Sequence, residues 1–376
     1  MSPGTVLYVG KFELPDRNAA ANRVISNGKI FRALGYRAAF LGTSREERFS
    51  GVRRLDAEGF DLWERAYPMS NADWIRQLYD VSDVLAVAEA YGDLKLIVAY
   101  NLPYATFKAL KRGFKNSAAR VCFDCTEWNG YAEGSLPKRL YKKRDERLIR
   151  TKLDKICRDI IVISSTMEKK YAGANLLRLP PLVDTEDPIW RQERTPHPGV
   201  FEFCFAGTVS DKERLDRAVE AFCGIGGESL RLRIVGLTAD DFTAAFPETA
   251  GIALADRRVV FEGYLPHRDA VLRALSCDCY VFIREATGRN SAGFPTKFAE
   301  AFTCGAPVIT TAVSDVAGYV VSADEGEILA DASVGEIRGA MERAAGRPSR
   351  SRALRRAFDY RNYVDGTEEW IDRIAF

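Results

Sequence analysis

Residues 284–310 read REATGRNSAGFPTKFAEAFTCGAPVIT, and the fold is decided there. The run just before it, Cys279-Tyr-Val-Phe-Ile283, is short, apolar and β-rich enough for a buried strand. A polar loop with Arg284, Arg289, Asn290 and Gly293 follows. Pro295 suits the first position of a helix, where its missing N–H costs nothing. The helix carries Phe298, Ala301 and Phe302 and ends at Gly305; Ala306-Pro-Val-Ile-Thr310 is the next strand. A strand, a basic loop, a helix N-terminus and another strand make an anion site in α/β proteins, because free N–H groups and the helix dipole meet the ligand at the end of the sheet.

Two side chains sharpen this reading. Lys297 sits in the first turn, where a cation opposes the dipole and a bound anion would reverse the penalty. Glu300 follows at i+3 on a similar face and could accept hydrogen bonds from a neutral ribose diol. Spacing alone also fits an ordinary surface pair.

The segment resembles a family signature. Gly293-Phe294, Glu300-Ala301 and Cys304-Gly305-Ala306-Pro307-Val308 are similar to the nucleotide-sugar motif of retaining glycosyltransferases of the GT-B fold, family 4. The Phe-Pro-Thr-Lys-Phe version resembles bacterial enzymes that build surface polysaccharides. The resemblance implies two facing Rossmann-like α/β domains, with the last helix crossing back to the first domain. It also implies that Glu300 holds the ribose and that Asn290, Phe294, Pro295, Thr296 and Lys297 line the donor site. The family's first Glu would stand at position 292, where this chain has Ala292. That departure bears on the sugar and on catalysis.

The rest of the C-terminal half extends the pattern. Phe201 to Phe205 reads as a strand, and Gly207-Thr208-Val209-Ser210-Asp211-Lys212-Glu213 leads into a helix with Leu215, Val219 and Phe222. It resembles the family site in which an Arg and a Lys grip the donor diphosphate. Lys212 matches, Thr208 replaces the Arg, and Arg284 is the expected substitute. Gly263-Tyr264-Leu265-Pro266 resembles the turn that meets the nucleobase. His267 reads as a capping or surface residue.

In the N-terminal half, Val6 to Val9, a helix from about Asn18 to Leu34, and Tyr36 to Leu41 make a βαβ start. A Gly-x-Gly-x-x-Gly fingerprint is absent, which argues against a dehydrogenase. Asn18 and Arg23 lie where the family's opening loop meets donor and acceptor; a solvated helix arginine is the plain alternative. Asp124 and Glu127 follow a strand at Ala119 to Phe123. They are the acceptor-side and candidate catalytic carboxylates, with local helix capping as the other reading. In the family, however, the leaving phosphate is commonly taken as the base. Lys212 and Lys297 complete the expected catalytic set.

Lys138 to Arg158 carries ten basic residues against three acidic ones. That is a solvated helix face, or a contact with an anionic membrane or a pyrophosphate-lipid acceptor.

Composition bounds the rest. At 376 residues, two domains are expected, with 1–185 binding acceptor, 186–357 binding nucleotide sugar, and 358–376 as an aromatic-rich helix packing back. The 47% hydrophobic and 28% charged content suits a globular protein, and a net charge of +2 is too small to suggest nucleic-acid binding. No apolar run reaches the length of a membrane span and the start is not a signal peptide, so a cytoplasmic location is expected, with peripheral contact at the inner face of the membrane. The eight cysteines read as reduced thiols or, at Cys122-x2-Cys125, as a redox pair.

The expected function is transfer of a hexose from a UDP- or GDP-sugar to a hydroxyl acceptor, with retention, without metal and without cofactor. The acceptor could be lipid-linked. The rivals are a sugar-nucleotide 2-epimerase and a non-catalytic nucleotide-sugar-binding protein.

Overall fold

The computed structural model describes residues 3–46, 49–55, 59–128, 135–192, 198–208, 212–347 and 353–376. Residues 209–211, read above as part of a ligand loop, lie outside the described residues. The chain divides into two compact units, Met1–Leu182 with Asp359–Phe376, and Val183–Phe358.

Unit 1 is built on eight strands among the described residues: β1 (Thr5–Gly10), β2 (Arg37–Ser44), β3 (Val52–Leu55), β4 (Asp61–Ala66), β5 (Leu94–Tyr100), β6 (Arg120–Cys125), β7 (Asp159–Val162) and β8 (Asn175–Arg178). Their order is β3-β4-β2-β1-β5-β6-β7-β8, and every pairing is parallel except β3 with β4. β1 is buried along its whole length, as a central parallel strand with both faces covered must be. The sheet turns direction between β1 and β5, the kind of switch point at which α/β sheets bind ligands.

Several elements depart from the sequence reading. The β3–β4 pair was not foreseen, because this edge is held by cross-strand ion pairs rather than by apolar alternation. Arg53 meets Glu64 at 3.1 Å and Arg54 meets Asp61 at 2.7 Å. Residues 71–88 hold two helices, Asn71–Tyr79 and Ser82–Ala88. Asp80 is extended between them, and its Oδ1 accepts the Ser82 N–H at 2.9 Å, a turn that competes with helix.

The last helix, Val364–Asp372, belongs to unit 1. Trp370, Ile371 and Ile374 join the core of Tyr8, Phe31 and Phe40. Trp370 Nε1 donates to the Asn175 carbonyl at 3.1 Å. A buried tryptophan removes on the order of 200 Å² from water, worth about 5 kcal/mol, which is enough to hold a short helix in place.

The helix Leu136–Ile156 crosses the start of the helix Tyr104–Gly113, where Asp145 Oδ1 accepts the Tyr104 N–H at 2.8 Å. Burial holds the Asp145 carboxyl up at about 6, from an ordinary 3.8, against that bond and the pull of Tyr141 and Lys11. A carboxyl raised in the native state keeps its proton longer than in the unfolded chain. Its contribution therefore becomes less favourable as pH rises from about 4 to 6. Asp145→Asn keeps the acceptor and removes the charge. It is expected to raise Tm above pH 6 by about 2–4 °C, the response to roughly 1 kcal/mol. The advantage should vanish below pH 4 in calorimetric scans.

Unit 2 has six strands among the described residues: β9 (Phe201–Ala206), β10 (Leu230–Val235), β11 (Val259–Phe261), β12 (Cys279–Phe282), β13 (Val308–Thr311) and β14 (Gly326–Leu329). The order is β11-β10-β9-β12-β13-β14, all parallel. β9 is the middle strand and the switch point. Its core of Phe203, Phe222, Leu232, Ile234 and Val281 is continuous with the helices that cover it. After β13 the chain turns through a short 3-10 helix at Val316–Gly318. Ser314 has φ +55, which no strand accommodates.

Candidate functional site

The site is built from the carboxyl ends of β9, β10 and β12. β9 ends at Ala206, which β12 clamps: the Tyr280 hydroxyl donates to the Ala206 carbonyl at 3.0 Å and accepts its N–H at 3.1 Å. Gly207 follows, and its N–H donates to Val235 at 2.8 Å. Gly236 ends β10 with φ +95, and a Cβ there would lie 2.5 Å from the Gly207 carbonyl oxygen. The two backbone segments approach this closely because Gly236 has no Cβ and can adopt the left-handed conformation.

The Lys297 side chain passes over Gly207. A Cβ on Gly207 would lie 2.5 Å from Lys297 Cε and collide with Nζ. Nζ stands 5.4 Å over the Phe205 ring and donates to Glu213 Oε1 at 3.2 Å. Arg284, at the end of β12, donates to the same oxygen at 2.7 Å. Its backbone is fixed by Thr311, whose hydroxyl accepts the Arg284 N–H at 3.1 Å and donates to its carbonyl. Glu213 and Arg284 also form an antiparallel bridge. Glu213 is only 4% exposed. Two cations thus share one buried carboxylate at a switch point, and their balance is positive. Burial pushes the Lys297 ammonium down and Arg284 adds to this, while Glu213 opposes it. A second anion arriving here would meet an unsatisfied positive field.

The helix Thr296–Thr303 begins beside this cluster, and Pro295 is its N-cap rather than its first residue. Pro295 has ψ 114, outside the helical range. Thr296 is half-buried at the first helical position. Glu300, one turn after Lys297, has Oε1 2.8 Å from His267 Nε2. His267 begins the helix His267–Ser276 directly after Tyr264-Leu265-Pro266. Tyr264 is exposed and Leu265 half-buried. This turn is set against the end of β10 by the Gly236 N–H donating to Gly263 at 2.7 Å.

Two expected donor residues are placed differently. Phe294 packs against Phe298, Tyr319 and Phe358, with ring centroids 6.1, 5.9 and 5.6 Å away, so its side chain is core. Asn290 is buried, and its Nδ2 donates to the Glu285 carbonyl at 2.8 Å, so it supports its own loop. That loop holds a short helix, Gly288–Ala292, capped by Thr287. Ala292 is fully buried. Thr208 is exposed, and Lys212 is half-buried directly ahead of Glu213.

Residues 186–361 match the family model described as glycosyl transferases group 1. The matched stretch spans nearly all of unit 2. No curated protein matches the chain in sequence. Solved structures match both units. Sucrose-phosphate synthase from Thermosynechococcus elongatus is 14% identical, covers 98% of each chain and has a TM-score of 0.73. Anabaena HepE in complex with UDP and glucose is 13% identical over 99% of this chain and 100% of that one, with a TM-score of 0.66. WaaG, a glycosyltransferase involved in lipopolysaccharide biosynthesis, is 14% identical over 98% and 95%, with a TM-score of 0.59. These likenesses show the fold: two parallel-sheet α/β units of the GT-B class.

Unit 1 places its expected residues unevenly. Arg23 is no solvated helix arginine. It is buried, and it donates to Asp124 Oδ1 at 3.0 Å and to the Leu179 and Pro180 carbonyls at 2.9 and 3.1 Å. Asn27 donates to the other Asp124 oxygen at 3.3 Å. Asp124 is 0% exposed, and burial pushes its carboxyl up while Arg23 and Asn27 oppose this. The pair ties the helix Ala19–Ala33 to β6 and the chain after β8, and it presents no charge to solvent. Asn18 caps that helix, accepting the Ala21 N–H at 2.9 Å. Glu127 is half-buried and lines a small cavity with Asn101, Trp128 and Asp145. Cys122 and Cys125 are both buried, and at i and i+3 of β6 they face opposite sides of the sheet. Burial raises both thiols, that of Cys125 to about 12, and the redox-pair alternative falls.

Glu213 and His267 were not foreseen as site residues. Glu213 had a signal: an acid between Lys212 and Arg214 at the mouth of an anion site must be held by cations. His267 had none, since its partner lies 33 residues on in sequence.

Proposed function

We propose that the chain transfers a sugar from a nucleoside diphosphate to a hydroxyl, with retention at the anomeric carbon and without a metal ion. One observation carries the reading: Lys297 and Arg284 converge on Glu213 over Gly207, at the start of a helix and the end of the middle strand. The diphosphate takes the place beside these cations, with Lys212 and the Thr296 and Lys297 amides as further donors. Negative charge grows on the leaving diphosphate as the glycosidic bond breaks. Fixed cations then stabilise the transition state more than the ground state, and this difference is the catalytic term. The departing phosphate accepts the acceptor's proton on the same face, which gives retention. Glu300, steadied by His267, accepts from the ribose hydroxyls, and the Tyr264-Leu265 turn meets the base. Arg23 and Asp124 hold unit 1 together, so Glu127 is the acceptor-side carboxylate of this proposal. The product class is a cell-surface polysaccharide or glycolipid.

A thermal-shift panel of UDP, GDP, ADP and TDP tests the donor. At about a hundred times Kd, the right nucleotide contributes about 2.7 kcal/mol and raises Tm by several degrees. No shift with any of the four would remove the donor site. Transfer, or slow hydrolysis, of the sugar nucleotide then separates an enzyme from a binding protein. Glu300→Ala is expected to lower kcat/KM for the donor ten- to a hundred-fold, from lost hydrogen bonds to a charged acceptor. His267→Ala should give a smaller loss in the same direction. Full activity in Glu300→Ala would take Glu300 out of the site.

A further inference from the structure

Unit 1 carries a surface that the proposed reaction does not use. On the helix Asn71–Tyr79, Ile75 and Tyr79 are exposed one turn apart, and Met69 is exposed just ahead of it. On the helix Leu136–Ile156, Leu136 and Leu140 are exposed one turn apart. The two helices adjoin: Trp74 meets the Tyr141 ring edge-on at 4.9 Å, and Lys138 Nζ stands 5.6 Å over Trp74. Five of the ten large apolar side chains exposed among the described residues lie here, more than scattered surface residues would give.

The same place is strongly basic. Lys138, Arg139, Lys142 and Lys143 flank Leu136 and Leu140. The nearby acids are turned to other work. Asp145 accepts from Tyr104, Glu146 lies 3.5 Å from Arg150, and Asp73 accepts the Ser70 hydroxyl at 2.6 Å. Lys11, at the end of β1, registers the field. Burial first, then Arg65, Lys138, Lys142 and Arg45, bring it down to about 8.

We propose that this face of unit 1 docks on an anionic lipid bilayer, with the five apolar side chains entering the headgroup boundary and the lysines meeting lipid phosphates. An anionic polymer would satisfy the cations and leave the aliphatic side chains in water, whereas a bilayer satisfies both. No helix among the described residues is long and apolar enough to cross a membrane, so the contact is at the interface. The inference is independent of the donor chemistry.

Co-sedimentation of the full chain tests it, with vesicles of phosphatidylcholine alone and of phosphatidylcholine with phosphatidylglycerol. Binding to the anionic vesicles is expected to be at least about tenfold stronger at low salt and to weaken as salt rises. The double variant Leu136→Ser with Leu140→Ser should lose about tenfold of it, as should Lys138→Glu with Lys142→Glu. The control pair Ile252→Ser with Leu254→Ser, exposed apolar residues of unit 2, should bind as the unchanged chain does. Equal binding to both vesicle types, no binding, or anionic binding that the leucine variant leaves intact would each overturn the proposal.

Discussion

Glu213→Ala is expected to destabilise unit 2 by about 3–5 kcal/mol in urea unfolding, the cost of removing one partner from a buried ionic set. The carboxylate is 4% exposed, and its partners Arg284 and Lys297 have side chains 12% and 25% exposed. Without it, two desolvated cations face each other and have only water to separate them. The quarter exposure of Lys297 places the expected value toward the lower end, since solvent screens its share. Glu213 also opposes the burial that pushes the Lys297 ammonium down, so the variant's Lys297 should lose its proton at still lower pH. The sign follows from linkage. A lysine whose native value is below its unfolded value binds fewer protons when folded, so stability rises with pH between the two values. The variant should widen that window downward.

A nucleoside diphosphate gives the discriminating measurement. If the phosphates occupy the field that Glu213 partly neutralises, the ligand should restore much of the lost stability, and its Tm shift should be larger in the variant than in the unchanged chain. A variant that is destabilised but gains no more from nucleotide than the parent would place Glu213 in the scaffold and away from the donor. An undiminished stability would mean that the ionic set contributes nothing.

Both sheets were legible because their middle strands are short runs dominated by apolar residues, with Glu202 the one charge in either. Val6 to Val9 and Phe201 to Phe205 have no other place in a protein of this size. The bounds of the helix that carries Lys297 were legible to within a residue, from Pro295 at its start and Gly305 just past its end. The candidate site was obscure where two residues far apart in sequence satisfy each other. Arg23 and Asp124 each sit where a ligand residue would sit, one on the first helix and one past a strand. Only the fold shows that they spend their charges on one another and on the Leu179 and Pro180 carbonyls. Phe294 is a similar case. Its neighbour Pro295 caps the helix that carries Lys297, but its ring is part of an aromatic cluster that includes Phe358, 64 residues later. His267 is the reverse, since position alone suggests a cap and the contact with Glu300 gives it a task.

Gly207→Ala should disable the proposed transfer while leaving stability nearly intact, and this separates geometry from charge at the cation cluster. The added methyl would stand 2.5 Å from Lys297 Cε and 3.3 Å from the Phe205 ring. The first neighbour is the far end of a flexible side chain, so the fold yields there at small cost by moving the ammonium. What is lost is the placement of Lys297 beside Arg284. Removing one preorganised donor of a transition-state charge lowers kcat by about a hundred- to a thousand-fold. Lys297→Met should show that loss, and Gly207→Ala should approach it with Lys297 still present. Both changes abolish the same contact, so the double variant should be no worse than Lys297→Met alone. Multiplying losses would mean that Gly207 acts by another route, such as its own N–H. A silent Gly207→Ala would mean that the path of Lys297 over the end of β9 has no part in the reaction, and the diphosphate would then have to be sought elsewhere.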